Sequence, residues 1–105
     1  MIKLIALYRK PADVEAFEEH YAHVHLPLIE KIPGLRKTEL SRITGAPRGE
    51  APFYMMVEMY FDDMDAYNRA MASEENKAAG RDLMSFAKEI VIMMIADAYE
   101  DEVRK

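Results

Sequence analysis

Three histidines, His20, His23 and His25, fall within the run FEEHYAHVHLPLIEKIPGL, residues 17 to 35. Imidazole changes charge near neutral pH and is a common metal ligand, so such a run raises two chemistries, metal binding and proton transfer. Spacing separates them. On a helix, Phe17, Tyr21 and His25 share one face, His20 sits at its margin and His23 turns toward solvent. Three imidazoles so dispersed do not converge on one ion, and no nearby acid completes a zinc-like sphere around His20 and His23, so no metal is expected. His25 remains. It is either a proton donor or acceptor in an apolar setting or a structural histidine held by a hydrogen bond.

A second set of polar side chains could join it. Glu58 is a lone carboxylate in the apolar run FYMMVEMYF, where burial would raise its pKa and suit it to acid or base work. The alternative is that Glu58 pairs with a basic residue at a solvated edge. Tyr8, Tyr21, Arg42 and Tyr60 are candidate substrate contacts, with Glu39 and Tyr99 behind them. Arg42 suits a substrate carboxylate, or is simply exposed. With no cysteine in the chain, a thiol nucleophile and a cysteine-based zinc site are excluded. There is no Ser-His-Asp set and no glycine-rich phosphate loop.

The elements that must position these residues follow from periodicity. Ile2, Leu4, Ala6 and Tyr8 alternate with Ile5 and Leu7, which predicts a strand apolar on both faces. Asp13 is an N-cap for a helix whose stripe is Val14, Phe17, Tyr21, Val24 and Leu28. Pro27 removes an N–H and predicts a kink or restart near Leu26, while Pro33-Gly34 ends the helix. A weak strand is expected over residues 35 to 44, then a loop, GAPRGEAP. Residues 53 to 61 give the clearest strand, with Phe53, Met55, Val57, Met59 and Phe61 on one face. Asp62 or Asp63 caps a helix with Met64, Tyr67 and Met71 inward. Ser73 caps another that buries Ala79, Leu83 and Phe86. Residues 90 to 98 form the last strand, before a charged tail expected to fray.

A chain of 105 residues holds one domain, residues 1–105. The order strand, helix, strand, strand, helix, strand defines an α+β fold. It is ferredoxin-like (βαββαβ), an antiparallel sheet with helices on one face. The net charge of −5 argues against a nucleic-acid partner, and no apolar run approaches the ~20 residues of a membrane span. A soluble cytoplasmic protein is expected. Helices cover one sheet face, yet three strands are apolar on both, so the bare face calls for a second copy packed sheet to sheet as a homodimer.

The run F-x-x-H-Y-x-x-x-H-x-P-L, closed by P-G-L, resembles the N-terminal signature of the EthD family in the dimeric α+β barrel superfamily. The matching positions are Phe17, Tyr21, His25, Pro27, Leu28, Pro33, Gly34 and Leu35, and KLIALY, FYMMVEMYFDD and DLMSFA extend the similarity over most of the chain. The resemblance implies sheets paired across a dimer and a pocket between the first helix and the sheet, with His25 on its wall. It implies a small organic ligand, apolar or aromatic, bound or transformed by isomerisation, cyclisation or cofactor-free oxidation. Cofactors are expected to be none. Two alternatives stand beside this: a non-catalytic carrier dimer, and a haem-binding member with His25 as axial ligand, against which the acidic charge counts.

Overall fold

The computed structural model describes residues 1–101; part of the charged C-terminal tail, residues 102–105, lies outside them. The strands are β1 (Ile2–Tyr8), β2 (Lys37–Arg42), β3 (Met55–Phe61) and β4 (Val91–Asp97). The first helical segment comprises α1 (Val14–His20), a π-helical turn (Tyr21–His25) and α2 (Leu26–Ile29). Two further helices, α3 (Met64–Met71) and α4 (Glu74–Ala87), precede β4. The sheet order is β2-β3-β1-β4 and each neighbouring pair is antiparallel. This is the ferredoxin-like arrangement that the element order implied.

Alternation decides the two faces. Ile2, Leu4, Ala6 and Tyr8 of β1 and Met55, Val57, Met59 and Phe61 of β3 are all buried beneath the helices. Full burial of a side chain such as Phe61 or Met55 contributes about 1.5–3 kcal/mol, so the two central strands anchor the core. The opposite face carries Lys3, Ile5 and Leu7 beside Met56, Glu58 and Tyr60, all half-buried. β2 is shorter than expected, and exposed Lys37, Glu39 and Arg42 sit along this edge strand, where charges discourage further pairing.

The helix caps follow the sequence. Asp13 accepts from the Ala16 N–H, Asp63 from Ala66 and Ser73 Oγ from Asn76, each satisfying a free first-turn donor. Gly34 takes φ +82° in the turn after α2, a left-handed conformation that glycine adopts without steric cost. Two inward assignments are corrected. Val24 is 43% exposed and Met64 44% exposed. Val24 turns outward because the first helix is not a regular α-helix, and Met64 because it begins α3 beside exposed Asp63 and Asp65.

Candidate functional site

The site begins with an irregularity in the first helix. Between α1 and α2 the chain widens into a π-helical turn, and the Leu26 N–H donates to the Tyr21 carbonyl five residues back. Pro27 follows at the first turn of α2, where its missing N–H disturbs least. The restart expected near Leu26 is therefore a register change within a continuing helix. Its effect is to bury Phe17, Tyr21, His25 and Ile29 together. His23 is exposed and His20 half-buried, as helical phase indicated.

His25 is 3% exposed and does not stand alone. Its Nδ1 lies 2.9 Å from Oδ2 of Asp82 on α4. His20 reaches the same carboxylate from the other side, its Nε2 2.9 Å from Oδ1 and 3.1 Å from Oδ2. A carboxylate only accepts, so both histidines present N–H to it; His25 then carries its proton on Nδ1 and a lone pair on Nε2. Nε2 makes no hydrogen bond among the described residues, yet among those same residues no buried side-chain nitrogen or oxygen lacks a partner. Nε2 is accordingly open to space, and His25 has such space beside it as a cavity-lining residue. Burial pushes the His25 pKa below the usual histidine value, opposed by the hydrogen bond and charge of Asp82 and reinforced by His20. The neutral imidazole, the form able to accept a proton, is thus favoured near pH 7.

The cavity, about 480 Å³, lies between the first helical segment, α4 and the β4 side of the sheet. Leu4, Ile29, Ile32, Met59, Met71 and Leu83 form much of its wall, and Met93, Met94 and Ile95 of β4 form its exposed rim. His25, Tyr67 and Asn76 are its polar members. Among the described residues no Lys, Arg, Asp or Glu lines it, so no cation meets the propionates of a haem and the lining does not fit that group.

The other sequence candidates lie elsewhere. Tyr21 packs on His25 with ring centroids 5.7 Å apart, and burial holds its hydroxyl at about 12. Tyr8 lies beneath the same helix, 6.4 Å from Tyr21 ring to ring, with its pKa also pushed up by burial. Glu58 is on the opposite sheet face, bound to Lys3 Nζ at 2.7 Å. Tyr60 lies there too, hydrogen-bonded to Glu39 and within 5.2 Å of Lys3 Nζ. Arg42 is held by Glu18 at 2.6 and 3.1 Å, and Glu18 also receives the Tyr54 hydroxyl. Tyr99 is 83% exposed. The structure therefore brings Tyr21 to His25 and places Glu58, Tyr60 and Arg42 away from the cavity.

Asp82 is the residue that sequence reasoning missed. The signal was present: Ala79, Asp82, Leu83 and Phe86 have the spacing i, i+3, i+4, i+7 of a buried helical stripe. A carboxylate on such a stripe needs a partner, because an unpaired buried charge is costly.

These features define a class, the ferredoxin-like α+β proteins with an apolar cavity between helices and sheet. Within that class the chain belongs to the EthD domain family, whose model matches residues 9–89. An EthD-family protein of Bacillus halodurans is 49% identical, with a TM-score of 0.90 over 94% of this chain and 99% of that one. An uncharacterized 11.0 kDa protein of Rhodococcus erythropolis, from the thcB–thcC intergenic region, is 30% identical over 92% of this chain and 94% of its own length. SnoaB of Streptomyces nogalater, a cofactor-independent oxygenase, shares the fold at 15% identity, with a TM-score of 0.67 over 95% and 94% of the two chains.

Proposed function

We propose that this protein is a homodimer that transforms a small, uncharged, apolar or aromatic organic molecule in the cavity, with His25 as the base. The observation that carries the reading is the contact of Nδ1 with Asp82 at 2.9 Å, with Nε2 left free on a cavity-lining residue. In that arrangement Asp82 fixes the tautomer and stabilises the imidazolium that forms when Nε2 takes a proton. Isomerisation, cyclisation and cofactor-free oxidation each begin by removing a proton from an acidic C–H or O–H, so one base serves all three. The cofactor-independent activity of SnoaB supports the third, at the level of shared fold. The absence of Lys and Arg from the lining among the described residues favours a neutral substrate, since a carboxylate or phosphate would find no charged partner.

The test is deuterium incorporation from heavy water into a panel of small ketones and hydroxyaromatics, followed by NMR. His25→Gln should slow exchange of any responsive compound at least a hundredfold, a typical general-base contribution. Unaltered exchange removes His25 from the chemistry. A second reading, a non-catalytic carrier, is favoured by one observation: among the described residues no Lys or Arg lines the cavity to meet the anion that deprotonation creates. Saturable binding without exchange in any compound selects it.

The dimer rests on the open sheet face. Ile5, Leu7 and Met56 lie there with Ile92 and the 46%-exposed Met94 of β4, and the Lys3–Glu58 pair sits among them. A second copy packed on this face would remove that surface from water. A monodisperse monomer by light scattering at micromolar concentration refutes this part.

A further inference from the structure

His20 is left unexplained by the base role of His25, yet it holds the same carboxylate. Its Nε2 spans both Asp82 oxygens, at 2.9 and 3.1 Å, while His25 takes Oδ2 alone at 2.9 Å. The two imidazoles differ in access: the His20 side chain is 31% exposed and that of His25 is 4% exposed. Phe86 packs on both rings, with centroids 4.4 Å from His20 and 5.1 Å from His25. Away from the cavity, His20 borders a surface groove that also holds Asp13, Lys88 and Glu89. Asp82 therefore stands between an imidazole on the cavity and an imidazole open to solvent.

We propose that His20 is a positioning residue for His25: it clamps Asp82 from the solvent side, presents Oδ2 to Nδ1, and transmits its own protonation to the basicity of the buried imidazole. The inference deepens the reading of His25 as the base, but its test needs no substrate.

The geometry gives the sign. Both ring nitrogens lie on Oδ2, at 3.1 and 2.9 Å, so they are no more than about 6 Å apart. A proton on His20 places a positive charge within that distance of His25 and competes for the negative charge of Asp82. His25 then holds its own proton less firmly, in keeping with the lowering that His20 exerts on it. The groups facing the pair come from both sides: Asp13, Lys88 and Glu89 border the groove beside His20. Asp82 comes from α4; Tyr21 from the π turn and Tyr8 from β1 are phenols whose pKa values burial raises, so they stay neutral. At this separation one charge changes the proton affinity of the other by roughly 3-fold to 100-fold across the range from bulk water to the near-surface dielectric.

The experiment is a pH titration of the histidine ring nitrogens by long-range 1H–15N NMR on the whole protein and two variants. In the wild type His25 should be the Nδ1–H tautomer when neutral, with a midpoint below that of a free histidine. His20→Gln keeps an N–H donor for Asp82 but cannot take up a proton, so the His25 midpoint should rise by about one pH unit, roughly tenfold in affinity. His20→Ala removes the clamp as well, and the neutral His25 should become a mixture of tautomers. An unchanged His25 midpoint in His20→Gln overturns the proposal, whatever His20→Ala does. Loss of exchange activity in His25→Gln is a separate result, so this failure and failure of the base assignment are told apart.

Discussion

Asp82→Asn removes one charge and almost no volume, which makes it the sharpest probe of the site. In the native protein the carboxylate lies against a histidine that is 4% exposed, with its Oδ2 2.9 Å from Nδ1. An imidazolium about 4 Å from that charge gains about 4 kcal/mol at an effective dielectric of 20. Solvent reaches the His20 side of the carboxylate, and halving the figure for that screening leaves about 2 kcal/mol, or roughly 30-fold in proton affinity. The His25 midpoint should therefore fall by about 1.5 pH units in Asp82→Asn, and base-dependent exchange should drop at least 30-fold. Folding should suffer as well, because charge-assisted hydrogen bonds to two histidines become neutral ones; the loss should be about 1–3 kcal/mol. Urea denaturation reads the stability and ring-nitrogen NMR reads the tautomer and midpoint. A variant with the wild-type denaturation midpoint and the wild-type His25 titration would refute the assignment of Asp82 as the residue that organises the site. The opposite signs expected for Asp82→Asn and His20→Gln strengthen the pair of tests, since general loosening of the helices would not move His25 in both directions.

Three further outcomes follow from the same contacts. The folded-state pKa of His25 is lowered, so its neutral form contributes stability that is full above about pH 6.5 and is lost as pH falls through the folded value; His25→Gln should flatten this acid limb in denaturation series, and an unchanged limb assigns it to other groups. Glu58→Lys sets a second cation beside Lys3 on the open sheet face, so dimerisation measured by sedimentation should weaken at least tenfold, and an unaffected association constant places the interface elsewhere. Phe61→Ala empties a fully buried site in edge contact with Tyr67, ring centroids 5.5 Å apart, and should cost about 3–5 kcal/mol in urea; a loss below about 1 kcal/mol would mean that the core collapses to fill the gap.

The sequence carried the strands and caps in plain form because they depend on local rules. Alternation in IKLIALY and MMVEMYF showed which residues share a face, and the structure decided which face meets the helices. Asp13, Ser73 and the Asp62–Asp63 pair announced helix starts through their side-chain oxygens, Asp63 being the cap. His25 was legible as a buried residue for the same reason. Its partner was not, because the Asp82 contact joins residues 57 apart in the chain and depends on how α4 packs on the π turn. Periodicity within α4 placed a carboxylate on the inner stripe, but only tertiary contact shows what neutralises it. The polar residues of β3 and β2 misled in the opposite way. Glu58 and Tyr60 are confined by strand alternation to the face opposite Met59, whereas the cavity lies on the helix side. Arg42 is on the helix side but is engaged by Glu18 before it reaches the cavity.

The π turn explains how one helix buries four residues at strict four-residue spacing. In a regular α-helix of 3.6 residues per turn each four-residue step overshoots by about 40°, so Phe17, Tyr21, His25 and Ile29 would spread over about 120°. That is wider than the ~100° stripe a surface helix commonly turns inward. All four are nevertheless 5% exposed or less. The wider turn from Tyr21 to His25 takes up the overshoot, because a five-residue hydrogen bond encloses more residues per turn than the four-residue bond. Without it His25 would rotate off the inward face, to the side opposite the one on which Val24 now meets solvent, and Val24 would turn in. The irregularity thus sits where the site requires a correction in helical phase, and Pro27 stands immediately beyond it, at the first turn of the restarted helix, where no N–H is needed.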